Sequence, residues 1–151
     1  MMTIVWGGEA CPEINDGIAH FVASHIPGCG RGFTGHVTMG VIEGENLLAG
    51  VVYHNWSPEA DIIELSAASI SKRWLTRPVL KAMFSYPFDE IGCQIVVLRV
   101  SENNTAMIRI AKAYGFQAHI IPRLRGRDEA EYLLTLTEED WRSSRFNRKQ
   151  V

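Results

Sequence analysis

Residues Leu47 to Trp56, LLAGVVYHNW, are apolar at odd and even positions alike over most of their length. A strand sends successive side chains to opposite faces, so such a run needs apolar cover on both. The run suits a strand covered on both faces.

Helix signals lie in the rest of the chain. After Pro12, residues Ile14, Ile18, Phe21, Val22 and His25 recur at helical spacing. Thr76 can cap a helix beginning Arg77-Pro78, with Leu80, Met83 and Phe84 as its apolar stripe and Pro87 as its limit. Asn104 or Asn103 can cap a third helix with Met107, Ile110, Ala111 and Tyr114 on one face, stopped by Gly115. A short tail helix starts near Glu138. Strand signals fall at Thr3–Trp6, His36–Glu43, Leu47–Trp56, Asp61–Ser69, Gln94–Val100, Ala118–Pro122 and Glu131–Thr137. The second and third are joined by Glu-Gly-Glu-Asn, a turn composition that predicts an antiparallel hairpin. The order β, α, β, β, β, α, β, α, β, β predicts an α/β fold, a mixed sheet with helices on both faces.

At 151 residues, the reading is one domain over 1–151. A formal net charge of -2 gives no global field for nucleic acid or an anionic membrane, so such a partner needs a local patch. Arg123, Arg125 and Arg127 form one candidate; Arg142, Arg145, Arg148 and Lys149 form another, with a solvated turn and a basic tail as the plainer readings. Cys11, Cys29 and Cys93 are odd in number and lack CxxC spacing, so neither a disulfide framework nor a metal site is indicated. With no long apolar run, no membrane partner is expected and the expected location is cytoplasmic.

The element order, together with VSENNTAMIRIAKAYGFQ, resembles the GNAT (GCN5-related N-acetyltransferase) superfamily. The match rests on Val100, Asn104, the Ala106-Met107 pair and Gly115-Phe116. The resemblance implies a central, mostly antiparallel sheet of six to seven strands with a splayed central pair, and acetyl-CoA as acyl donor. The splay would lie between Asp61–Ser69 and Gln94–Val100. There the free backbone of Ser66, Ala67 and Ala68 can hydrogen-bond an amide-bearing ligand as another strand would. Asn104, in the matching motif, falls among the cofactor-binding residues.

The family's phosphate loop aligns with Arg73-Trp74-Leu75-Thr76-Arg77-Pro78. Arg73 matches, but Thr76 and Pro78 replace glycines, which narrows close approach and removes a donor. Lys72, Arg73 and Arg77 can offset this through charge, and Thr76 through its hydroxyl. The departures suggest a divergent member.

Acyl transfer to an amine calls for a general base. Glu64 is the one carboxylate inside IIELSAAS, where burial is expected to raise its pKa. His54 is an alternative base, with Tyr53 and Asn55 as further acceptor-pocket candidates. Many family members carry a Tyr acid at the position of Ala111, so Tyr114 is the remaining candidate acid, with packing as its other reading. Three functions follow: an N-acetyltransferase acting on a small-molecule or peptide amine; a nucleic-acid base modifier, which RLRGRDE shares loosely with phage-encoded GNAT-like proteins; or a non-catalytic binding module. A homodimer is the expected assembly, with Trp141 and Phe146 packing against a second subunit or their own sheet.

Overall fold

The computed structural model describes residues 1–29 and 32–147. Arg148 and Lys149 of the basic tail lie outside the described residues. Seven strands, β1 (Met2–Gly7), β2 (Val37–Glu43), β3 (Asn46–Ser57), β4 (Ile62–Ser69), β5 (Ile95–Ser101), β6 (Gln117–Gly126) and β7 (Glu129–Thr137), form one sheet in the order β1-β2-β3-β4-β5-β7-β6. Every neighbouring pair is antiparallel except β4 and β5. The mostly antiparallel mixed sheet expected from the sequence is present.

Helix α1 (Pro12–His25) covers one face, where Ile18, Ala19 and Val22 pack with Val52, Val5 and Ala68. It sits close because Gly40 and Gly50 are opposite each other in β2 and β3, and a Cβ at Gly50 would stand 2.8 Å from Val22. Its polar anchor is Asn15, buried rather than surface-facing. Asn15 donates to the His36 carbonyl at 2.9 Å and accepts from the Thr38 hydroxyl at 2.9 Å, which ties α1 to β2.

Helices α2 (Arg77–Ser85), α3 (Thr105–Tyr114) and α4 (Glu138–Ser143) cover the other face and close the larger core around Val51, Leu65, Val96 and Leu134. Thr76 caps α2 by accepting from the Val79 amide, as its sequence predicts. The α-helix ends at Ser85, before Pro87, as its sequence predicts, but the helical path goes on. A π-helical turn over Tyr86–Glu90 carries it on, delivering Phe88 to the core against Trp141 at a ring separation of 5.1 Å. The α3 stripe is also shifted: Ile108 enters the core while Ile110 stays 45% exposed. Trp141 is 1% exposed and the Phe146 ring packs, tilted, against Tyr114 at 5.1 Å, so both pack on their own chain instead of offering dimer anchors. Cys93 lies in the core as a free thiol. No described helix is long and apolar enough to cross a membrane.

Candidate functional site

The parallel pairing of β4 with β5 runs only from Ile62 opposite Ile95 to Leu65 opposite Leu98. Beyond it, Ser66–Ser69 stay with β3 and Arg99–Ser101 stay with β7. Two strands that each keep their outer partner and twist apart leave backbone donors and acceptors facing a gap at the centre of the sheet. A cleft of about 990 Å³ runs through this gap.

On the α2 and α3 side the cleft is apolar, lined by Trp74, Leu75, Met83, Met107, Ala111 and Tyr114. The Met107, Ile110, Ala111, Tyr114 stripe therefore faces the cleft as much as the core. Ser66 and Ala67 line the gap, whereas the Ala68 methyl packs toward α1, so small size at that position serves helix packing. Asn104 lines the cleft and caps α3, its Oδ1 accepting from the Met107 amide.

On the α1 side the cleft is polar. Glu64 and His54 are direct register partners across β4 and β3, with His54 Nε2 3.6 Å from a Glu64 carboxylate oxygen and 2.9 Å from Ser66 Oγ. Asn55 Nδ2 donates to the other Glu64 oxygen at 3.0 Å. Asn55 reaches it because β3 bulges between His54 and Ser57 and Asn55 adopts φ 52°, a conformation that Asn tolerates better than most residues. Phe33, from the Gly-rich loop before β2, lies over the His54 ring at 4.8 Å. His54 is 8% exposed rather than a surface residue. Burial lowers its pKa from the usual 6.5, with Glu64 opposing and His36 assisting, so the imidazole is neutral at pH 7. Tyr53, expected beside them, points to the opposite face and donates to the Met83 carbonyl at 2.6 Å, so it belongs to the core.

Tyr114 stacks on Phe84 and accepts from the Trp141 indole N–H at 3.1 Å. Burial pushes its pKa up to about 12, the indole bond opposing, so the phenol keeps its proton at neutral pH. Packing and a free hydroxyl proton thus coexist at one residue.

The loop before α2 spends several of its donors internally. The Arg73 amide bonds Ser71 Oγ, the Thr76 amide bonds the Trp74 carbonyl, the Val79 amide bonds Thr76 Oγ1, and Pro78 has no N–H. Arg73 pairs with Glu43 at 3.1 Å and Arg77 donates to the Arg145 carbonyl. The Arg73 pair is exposed and weak, so a phosphate can displace it. Any anion here is held by charge more than by a backbone cradle.

The sequence reading missed the third feature of the site. Arg99, Arg125 and Glu131 also line the cleft. Arg125 turns inward to Glu131, with its Nε 3.3 Å from the carboxylate, instead of joining Arg123 and Arg127 in a surface stripe. Arg99 carried the same signal that exposed Glu64, a lone charge in an apolar strand.

The chain is similar in structure to several solved acetyltransferases. A dodecameric spermidine N-acetyltransferase from Vibrio cholerae matches with a TM-score of 0.69 over 94% of this chain and 96% of its own, at 10% identity. The protein yncA from Salmonella typhimurium, solved with its cofactor acetyl-CoA, matches with a TM-score of 0.66 over 91% and 94%, at 18% identity. The chain has the GNAT fold. A candidate acetyltransferase from T. thermophilus matches with a TM-score of 0.61 over 71% of this chain, at 16% identity, and this chain spans 61% of its length. No protein-family model matches the sequence, and no curated protein matches it. The GNAT fold thus forms on a sequence only 10 to 18% identical to these structures.

Proposed function

We propose that the protein is an acyl-CoA-dependent N-acyltransferase that transfers acetyl from acetyl-CoA to an amine by direct attack. The observation that carries this reading is the gap between β4 and β5, because it joins an apolar channel to the half-buried carboxylate of Glu64. Acetyl-CoA fits the donor set: free strand backbone at Ser66 and Ala67 suits the amides of a pantetheine arm, and Met107, Ala111 and Tyr114 suit its apolar contacts. Arg73 and Arg77, with Lys72, are the groups to hold its phosphates, and Thr76 caps the helix beside them. When bound, acetyl-CoA supplies an acyl group activated as a thioester.

Glu64 accepts a proton from the ammonium or attacking amine, directly or through one water. Asn55 and His54 hold the carboxylate in place, and neutral His54 is the alternative base. Tyr114, which keeps its proton at neutral pH, or water would be the proton donor for a departing thiolate. Ser66 positions His54 and keeps the base beside the gap.

We read residues 1–151 as one acyltransferase domain, cytoplasmic, and self-associating through surfaces other than Trp141 and Phe146. The acceptor is a small-molecule or peptide amine.

Calorimetric titration of acetyl-CoA tests this reading. Binding in the micromolar range is expected, weakened by about 1 kcal/mol or more when Arg73 and Arg77 are both changed to Ala. Absence of binding near millimolar coenzyme overturns it.

A further inference from the structure

The cleft holds a charged wall for which acyl transfer itself has no use. Glu131 is 4% exposed in its side chain and takes Arg99 Nε at 3.0 Å and an Arg99 terminal nitrogen at 2.9 Å. Its other oxygen lies 3.3 Å from Arg125 Nε, without the alignment of a hydrogen bond. That Nε is buried and has no hydrogen-bond partner among the described residues. Arg125, from β6, also reaches past β7 to the Arg99 carbonyl of β5 at 3.4 Å, which brings its guanidinium to the edge of the gap. Two guanidinium groups thus share one buried carboxylate beside the cleft.

The opposite wall has the reverse sign. Glu64 is there with neutral His54, while Glu129, at the Arg end, accepts from Ser101 Oγ at 2.6 Å. Both walls face one space. Burial pushes the Cys29 thiol up, Arg125 pulls it down and Glu64 pushes it further up, so the thiol feels both ends. Glu64 pairs in register with Val97, and Arg99 is two residues along the same face of β5. Strand geometry therefore puts the two Cα atoms roughly 8 Å apart. Converging side chains then leave room for a small molecule.

We propose that the acceptor is a small amine that also carries a carboxylate, with Arg99 and Arg125 binding the carboxylate while the amine meets Glu64. The proposal rests on the acyltransferase reading above. Guanidinium groups bind carboxylates through paired hydrogen bonds, and the guanidinium nitrogens of Arg99 and Arg125 that do not face Glu131 are the donors for one. A phosphate in the same place would bring a second negative charge against Glu64, Glu129 and Glu131, so a singly charged anion fits better. A polyamine would bring its second cation against two arginines. Phe33 and Leu124 line the same chamber and suit an apolar substituent.

The test uses L-leucine, L-phenylalanine and L-methionine, their carboxamides, O-phosphoethanolamine and spermidine as acceptors, with acetyl-CoA affinity measured separately. Amino acids should be acetylated with kcat/KM about 10-fold or more above their amides. Arg125→Gln should shrink that ratio toward one with acetyl-CoA affinity unchanged. Arg99→Gln, at a more exposed site, gives the same readout should the first variant fail to fold. Equal use of acids and amides, or a preference for O-phosphoethanolamine or spermidine, overturns the proposal and leaves the acyltransferase intact. Loss of coenzyme binding in the parent protein overturns the acyltransferase reading instead. Should no probe turn over although the coenzyme binds, the amino acids are titrated into the coenzyme A complex, and failure to bind better than their amides overturns the proposal.

Discussion

His54 and Glu64 face each other in register across β3 and β4, 3.6 Å apart, with side chains 10% and 15% exposed. The pair is fixed by strand pairing, so its geometry survives small changes in side-chain chemistry. Glu64→Gln keeps the shape and the bond from Asn55 but removes the base. Turnover should fall about 100-fold or more while acetyl-CoA affinity stays within a factor of about two. Steady-state rates beside a coenzyme titration check this, and unchanged turnover removes Glu64 from the mechanism.

The buried imidazole makes stability depend on pH in a stated direction. Burial lowers the folded-state pKa of His54 below its usual 6.5. The unfolded chain therefore binds the proton first on acidification. Stability is full above about pH 6.5 and declines as pH falls below it. Urea denaturation between about pH 5 and about pH 7 should show this slope, and His54→Gln should flatten it.

Two glycines mark places where helix α1 leaves no room. A Cβ at Gly7 would stand 2.5 Å from the Cα of Asn15, which is backbone, while at Gly50 the nearest atom is a Val22 methyl at 2.8 Å. Side chains yield more readily than backbone. Gly50→Ala should cost about 1 to 3 kcal/mol, and Gly7→Ala should cost more. Thermal melts of the two variants check the ranking.

Tyr114→Phe strips the Trp141 indole of its acceptor in a site where Trp141 is 1% exposed. A buried donor left unpaired costs about 1 to 3 kcal/mol. The variant should be less stable by that amount in denaturant titrations. If Tyr114 also returns the proton to sulfur, turnover at saturating substrate falls in the folded variant, and a normal rate assigns that step to water.

Local signals carried the fold reading well because each element announces itself over a few residues. The hairpin composition at Glu43 to Asn46 formed the turn it predicts, and Thr76 and Asn104 cap their helices. Pro87 marked the limit of α2 because a missing N–H stops an α-helix, but the π-turn that follows, in which later amides reach the Tyr86 and Pro87 carbonyls, had no signal in the sequence. The site was only half legible. Glu64 stood out as a lone carboxylate in an apolar run; Arg125 was read as part of a surface patch because its inward path depends on the irregular pairing between Ile121 and Gly126.

By itself the sequence determined which segments become strands and helices, that the sheet is covered on both faces, and that one carboxylate stands in the central strand. These follow from periodicity, caps and turn residues, which act between neighbours along the chain. Only the tertiary structure decided where β4 leaves β5, that Asn55 and His54 flank Glu64, and that Arg99 and Arg125 share Glu131. The Arg99 and Glu131 pair joins residues 32 positions apart, and strand register with a bulge brings Asn55 and His54 to Glu64. The free energy that selects a register is summed over whole faces of the sheet, so no short stretch of sequence displays it.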